Sequence, residues 1–397
     1  MERDICALVE KEYAFMVETR RHLHRHPEPS GQEEQTALFV AGQLQAKGIE
    51  CRRLPQHGVI GRIYGSRPGK VLALRADMDA LQMQETAQVP YCSQRPGVMH
   101  SCGHDGHTAA LLGAAGILAQ LREDFCGEVR LLFQPSEENC QGARSMIQAG
   151  ALENVESIFG MHVDLGQPAG RFDISTGVRT CAADRFILCF SGRPLREGSQ
   201  AIRAAAAAVL ALQTLASREV SPKTVFAFSC CRIAGGMNEK DDRVTVEGTC
   251  RYSDEALCGA LAEKIRRIAQ NTAAPYGVSA ELKLEHIAYP LVNQPHPSRI
   301  ACESAAQLFG NQCLAQSGAD SVSEDFAEYL QVVEGCYGKL GANHSDMRLS
   351  CPNHNPGFDM NERALYYGAA LFVQYALNVL SSPLGLEGRK RQREEEK

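Results

Sequence analysis

Residues 98–107 read Val-Met-His-Ser-Cys-Gly-His-Asp-Gly-His, which gathers a thiol (Cys102), three imidazoles (His100, His104, His107) and a carboxylate (Asp105) into eight positions. Thiolate and imidazole are ligands for zinc and its borderline-soft neighbours. In an extended segment, residues i and i+2 face the same way, so the spacing predicts that Cys102 and His104 address one ion. The apolar, Ala/Leu-rich run from Thr108 predicts the start of a buried helix. Taken alone, the Cys-x-His pair is better explained as a buried cysteine beside capping histidines, so the rest of the chain must decide.

Three further stretches repeat one pattern. The β-rich run 71–76 ends on Asp77 and Asp79, the run 128–133 leads into Glu137 and Glu138, and the run 158–160 leads into His162. Adjacent carboxylates are ordinarily solvated surface, and aspartates after a strand are often turn-formers. Three strands delivering metal-type ligands at their carboxyl ends is another matter, because open α/β sheets bind ligands there. His354 lies in a further turn-rich stretch, Asn-His-Asn-Pro-Gly-Phe-Asp at 353–359. The histidines of 20–28 (Arg-Arg-His-Leu-His-Arg-His-Pro-Glu) also look metal-like. Pro27 and the Ser30-x-x-Glu33 spacing instead predict a helix end followed by a capping box.

The elements that must position these residues belong to a large chain. It has 397 residues, a net charge of −6 and no tryptophan. The charge excludes a basic face for nucleic acid, and no apolar run reaches the roughly 18 residues of a membrane span. The charged start leads into no signal-peptide-like stretch. The sixteen cysteines follow no framework spacing, which predicts reduced thiols and a cytoplasmic protein. A helix over 36–48 should stop at Lys47 and Gly48. The runs 59–64 and 71–76, separated by Ser-Arg-Pro-Gly, predict a hairpin. From residue 185 the order strand, Ala-rich helix, strand, strand, helix, strand predicts a split βαββαβ unit. Domain boundaries follow: a catalytic part over 1–180, an insertion over 181–290, a second catalytic part over 291–383 with a closing amphipathic helix at 362–380, and a disordered charged tail over 384–397.

Taken in order, 74–81 (Leu-Arg-Ala-Asp-Met-Asp-Ala-Leu), 99–107, 133–138 (Phe-Gln-Pro-Ser-Glu-Glu), 160–163 (Gly-Met-His-Val) and 353–359 resemble the motifs of the M20 peptidase family. Within it, the chain is similar to the amidohydrolase branch that contains hippurate hydrolase, N-acyl-amino-acid amidohydrolases and auxin-conjugate hydrolases. The resemblance runs over nearly the whole chain, including 24–28 and 323–326. It implies an α/β fold: an open-sheet dinuclear-metal hydrolase domain with an inserted ferredoxin-like βαββαβ lid and dimerisation domain. It further implies that Cys102, His104, Glu138, His162 and His354 bind two divalent metal ions, with Glu137 as general base and Asp77 as an orienting residue behind the ligands. The thiolate favours zinc, with manganese, cobalt or nickel as alternatives. If Cys102 bridges the ions, each has three protein contacts and a position left for water. The implied partners are a small acyl-amino-acid substrate and a second copy of the chain.

The chain departs from the family in the insertion. Relatives carry Gly-Gly-His…Pro-His after its first strand, and that histidine stabilises the oxyanion, generally in the partner's site. Here 191–199 reads Ser-Gly-Arg-Pro-Leu-Arg-Glu-Gly-Ser, without histidine. Asn238 matches a site asparagine, a substrate-binding residue, and with Arg193 or Arg196 could replace the missing donor. Loss of one oxyanion donor costs about 3–4 kcal/mol. Two readings therefore stand: an amidohydrolase of N-acyl or N-aroyl amino acids or small peptides, and a catalytically weakened relative that keeps the metal site to bind a small ligand. A cysteine hydrolase is disfavoured, because a metal-bound thiolate is no free nucleophile.

Overall fold

The computed structural model describes residues 4–194, 198–215, 225–238, 240–254, 257–344 and 351–380. In chain order the elements are α1 (Ile5–Arg25), α2 (Glu34–Ala46), β1 (Glu50–Arg53), β2 (Val59–Tyr64), β3 (Val71–Asp77), α3 (His104–Gln120), β4 (Glu128–Gln134), α4 (Gly142–Gln148), β5 (Ser157–Pro168), β6 (Phe172–Asp173) and β7 (Gly177–Thr180). Then come β8 (Ala182–Gly192), α5 (Gln200–Leu212), β9 (Phe226–Met237), β10 (Asp242–Tyr252), α6 (Leu257–Ala273), β11 (Ser279–Ala288) and β12 (Leu291–Asn293). The chain closes with α7 (Pro295–Phe309), α8 (Phe326–Leu330), β13 (Glu334–Asn343) and α9 (Arg363–Leu380). It divides into two compact units: residues 1–177, 293–317 and 328–397, and residues 178–292 with 318–327.

The first unit is built on a seven-stranded sheet in the order β1-β2-β4-β3-β5-β13-β6. β4, β3, β5 and β13 run parallel in its centre, and β1, β2 and β6 complete antiparallel edges. The central strands read as continuous apolar runs because helices cover them. In β4 every residue is buried, and in β3 all but Val71. α3 packs on β3 and β5, α9 on β13 and β3, and α1 lies against both helices. α3 is apolar on all sides and buried from His104 to Leu118, which is how a central helix reads. α9 is also largely buried, so its sequence amphipathicity understates how enclosed it is.

Two sequence expectations fail here. The runs 59–64 and 71–76 are both strands but not a hairpin, because β4 lies between β2 and β3, antiparallel to one and parallel to the other. The Ser-Arg-Pro-Gly segment is thus a crossover rather than a two-strand turn. Nor is there a capping box before α2. Glu33 is the N-cap without a side-chain cap bond, Ser30 Oγ donates to Asp79 Oδ2 at 2.7 Å, and Glu33 Oε1 accepts from Ser136 N at 2.7 Å. Tertiary partners took both side chains. The helix end at Lys47 and Gly48 is as expected, with Gly48 in the left-handed region (φ +68°).

The second unit has the βαββαβ order, with an antiparallel sheet β11-β8-β10-β9. β10 alternates buried and partly exposed residues along most of its length, the period of a one-sided sheet. α5 buries Ala201, Ala204, Ala205, Ala208 and Leu212, a helical stripe of small residues that lets the helix sit close to the sheet. Its start is fixed by Ser199, whose Oγ accepts from Ile202 N at 2.9 Å, and by Asp242, which accepts from Gln200 N and Ala201 N. The cysteines described are all free thiols. No helix among the described residues is long and apolar enough to cross a membrane. The tail expected over 384–397 lies outside the described residues, as does Arg196.

Candidate metal centre

β4, β3 and β5 are adjacent and parallel, so their carboxyl ends lie side by side. Asp77 is the last residue of β3, Glu137 and Glu138 follow β4, and His162 lies two residues beyond the last pairing of β5 with β3, Arg75 with Gly160. Cys102 and His104 arrive differently from the sequence expectation. The segment is not extended: Gly103 takes a left-handed φ of +89° as the N-cap of α3, and His104 is already the first helical residue. The helix therefore starts four residues before Thr108. A Cβ on Gly103 would sit 2.3 Å from Val163 Cγ2 besides requiring the unfavourable φ, so only glycine makes this turn.

Among the described residues five groups of donors lie within 4.8 Å of one another: Cys102, His104 and His162; Cys102, Glu138 and His354; His104, Glu137 and Glu138; Asp77, His104 and His107; and Glu137, Glu324 and Asp325. Cys102 Sγ is 3.2 Å from His162 Nε2, and His354 Nε2 is 3.3 Å from Glu138 Oε1. His104 Nε2 stands 3.9 Å from both Glu137 Oε2 and Glu138 Oε1. Donors bound to one ion at about 2.0–2.3 Å in tetrahedral geometry are separated by roughly 3.3–3.7 Å, so these spacings suit shared cations.

Imidazole tautomers agree. His104 Nδ1 faces the Asp79 carbonyl at 2.9 Å and Asp79 Oδ1 at 3.2 Å, and His162 Nδ1 faces the Val163 carbonyl at 2.8 Å. Each Nδ1 therefore donates, which leaves the Nε2 lone pair free, the arrangement expected of ligating histidines. His104 Nε2 and Glu138 Oε1 are buried with no hydrogen-bond partner. A buried orphan acceptor is costly unless something binds it. The donor set thus fits divalent metal.

Burial grades across the cluster. His104 is fully enclosed, whereas the His354 side chain is 53% exposed. Solvent and substrate would approach from the His354 side. Burial works against charge on His104, but Asp77, Cys102 and Asp79 raise its pKa well above the imidazole range. Burial and His107 push His162 well below that range. The Cys102 thiol and the Glu138 carboxylate beside it push His354 up to about 10. Burial opposes ionisation of Asp77, yet His104, His107 and Arg75 hold it well below the carboxylate range.

Around the donors stands a supporting shell. Asp77 Oδ1 is 2.5 Å from His107 Nδ1, and Asp77 Oδ2 accepts from Arg75 Nη1 at 2.7 Å. His107 Nε2 accepts from Val163 N at 2.9 Å, so both its nitrogens are committed and it has no lone pair for a metal. Arg75, Asp79 and Glu33 are buried supports: sequence reasoning assigned Arg75 no role, left Asp79 between turn-former and site residue, and placed Glu33 in a capping box. Asp79 Oδ2 accepts from Glu138 N at 3.0 Å, and Glu33 fixes Ser136, a serine in the left-handed region (φ +57°), just before Glu137. The Asp-x-Asp spacing was a usable signal for Asp79; nothing local marked Glu33. His24, in the His-rich stretch, is structural, its nitrogens 2.8 Å from Asp105 Oδ2 and 3.2 Å from Glu85 Oε1. Asn238 lies in the other unit, at the β9–β10 turn, where Oδ1 accepts from Lys240 N and Asp241 N. Arg193 is exposed beyond β8.

A parallel-centred α/β sheet with Glu and His donors beyond its strands and Cys102 and His104 at the start of α3 forms a candidate metal centre, and sequence comparison supplies the class. The profile of Peptidase family M20/M25/M40 matches residues 73–378, and the chain belongs to that family and is a hydrolase. It is 35% identical over 376 residues to N-acetylcysteine deacetylase of Bacillus subtilis (92% of this chain, 97% of that protein). It is 38% identical over 301 residues to N-acyl-L-amino acid amidohydrolase of Geobacillus stearothermophilus (74% and 81%). Among solved structures it resembles the Bacillus subtilis YXEP protein, described as a dinuclear metal binding peptidase from the M20 family. The TM-score is 0.83 at 33% identity, over 94% of this chain and 99% of that one.

Proposed function

We propose that this hydrolase cleaves the amide bond of N-acyl or N-aroyl amino acids, or of small peptides, at a centre of two divalent ions. The observation that carries the reading is the position of Cys102 in two donor groups at once, with His104 and His162 and with Glu138 and His354. Cys102, His104, Glu138, His162 and His354 would hold the two ions. Zinc suits the thiolate, with manganese, cobalt or nickel as alternatives. Bound there, such ions lower the pKa of water and polarise an amide carbonyl.

The chain's own residues supply the rest. Glu137, buried beside the ligand Glu138, takes the proton of the attacking water and hands it to the departing amine. Asp77 keeps His107 and Arg75 in place behind His104. Asn238 contacts substrate. The inserted unit serves as lid and pairs two copies of the chain, and the free thiols suit a cytoplasmic location.

The relatives' names supply the substrate class: one is called a deacetylase of N-acetylcysteine, another an amidohydrolase of N-acyl-L-amino acids. A purely ligand-binding relative is not favoured, since Glu137 and all five ligand residues are retained. Elemental analysis should find up to two divalent ions per chain. The metal-loaded protein, given a panel of N-acetyl, N-benzoyl and dipeptide substrates, should release free amino acid. No release from any of them, with metal bound, would overturn the reading.

A further inference from the structure

We propose that Arg20 is a positioning residue for this metal centre: its guanidinium clamps Asp105, next to His104, to Asp359, on the loop that carries His354. The inference rests on the dinuclear reading above. His104 sits on the rigid first turn of α3, but His354 lies outside regular secondary structure, with a left-handed φ of +61°. Among the described residues, several bonds tie its loop down, including Asn353 Nδ2 to Cys102 Sγ at 3.7 Å and Asn361 N to the Ala342 carbonyl at 2.8 Å. His354 N donates to the Ser101 carbonyl at 2.7 Å, Thr86 N donates to the Pro356 carbonyl at 2.8 Å, and Asp359 is held by Arg20 and Tyr91.

Arg20 is fully buried, and its guanidinium reaches three segments: the start of α3, the stretch 359–362 and Tyr91. Nε donates to Asp105 Oδ2 (3.2 Å), Nη2 to Asp359 Oδ1 (2.7 Å), and Nη1 to Glu362 Oε1 (3.2 Å) and Tyr91 OH (3.4 Å). Arg21 also grips Glu362, through Nε and Nη2, so the start of α9 stays anchored without Arg20. Burying such a network is poor strategy for stability alone, because desolvation offsets most of the attraction. A planar fork with fixed donor directions sets a separation, which an ammonium cannot do. What this fork sets is the distance between the helix start bearing His104 and the loop bearing His354, ligands of the two different donor groups. Asp105 retains His24 when Arg20 is lost, so substitution need not leave its carboxylate unpaired.

The test uses the full chain as wild type, Arg20→Lys, Asp359→Asn and the double variant. Zinc is titrated against a competing chelator, and the cobalt-substituted forms are followed by absorption. The wild type should bind two ions. In each single variant the first should bind as in wild type and the second at least tenfold more weakly, with an altered cobalt spectrum. The double variant should be no weaker than either single, because one clamp is broken in all three. Wild-type affinities at both sites, or equal weakening of both, would overturn the proposal, even if the melting temperature falls. If Arg20→Lys does not fold, Asp359→Asn, at a partly exposed residue, decides by the same criteria. A wild-type chain that binds no metal would instead overturn the dinuclear reading itself.

Discussion

Both units bury carboxylates, but they treat them differently. In the second unit, Asp242 accepts from Gln200 N and Ala201 N at the start of α5, and Asp184 accepts from Tyr252 OH at 2.6 Å and lies 2.9 Å from His286 Nδ1. Those groups close local accounts between neighbouring elements. In the first unit, Asp77 and Asp79 stand against His104, whose Nε2 is buried without a hydrogen-bond partner 3.9 Å from Glu137 Oε2 and Glu138 Oε1. Buried charge with every partner present marks architecture. Buried charge arranged around unpartnered donors marks a site, since proteins rarely leave such atoms unsatisfied without a ligand.

The contrast can be broken most severely at the ligands. The double variant Cys102→Ala/His354→Ala should lose metal and all hydrolysis; wild-type metal content by elemental analysis would remove the assignment. Glu137→Gln should keep its metal and lower kcat by roughly 10²–10⁴-fold, whereas Glu138→Gln should lose metal too. Opposite phenotypes would exchange the two roles. With no histidine in 191–199, the protein should turn over simple N-acyl amino acids with kcat/KM below about 10⁴ M⁻¹s⁻¹. Asn238→Ala should lower that value further at unchanged metal content; an effect on melting temperature alone would confine Asn238 to its turn.

Two milder tests concern architecture. Burial opposes charge on His24, but Asp105 and Glu85 raise its pKa to about 9. A group raised in the folded state stabilises fully below its unfolded pKa of about 6.5, and here its contribution, on the order of 3 kcal/mol, fades as pH rises through about 9. Unfolding measured from pH 6 to 10 should follow that decline, and His24→Gln should flatten it. Asp242→Ala should cost about 1–2 kcal/mol, the scale of a lost helix cap, and leave zinc affinity untouched. Any change in zinc binding there would blur the distinction between the units.

What was legible in the sequence follows from the same contrast. Residue type and strand ends pointed to Cys102, His104, the Glu137/Glu138 pair and His162 as candidates, whereas the set Cys102, His104, Glu138, His162 and His354 came from the resemblance to the family's motifs; these five fall in overlapping donor groups. The βαββαβ unit was readable because its periodicities are local and its strands pair with near neighbours in the sheet. The hairpin at 59–76 failed because pairing is decided by β4, a distant strand that local turn chemistry cannot announce. The capping box failed for a like reason, since Asp79 and Ser136 took Ser30 and Glu33. Arg20 was invisible because its partners lie at 105, 359 and 362.

The pairing of β5 with β13 also dictates an order of manufacture. These parallel neighbours are separated in sequence by nearly the whole inserted unit, and His354 comes later still. Domains tend to fold as units while the chain emerges from the ribosome. The βαββαβ unit, almost contiguous in sequence, can collapse as soon as it emerges, while the first half of the large sheet waits with the carboxyl end of β5 uncovered. Cys102, His104, Glu138 and His162 therefore emerge before the inserted unit, and of the five proposed ligands His354 alone comes after it. The proposed metal centre is thus completed only when the last of its five residues, His354, has emerged.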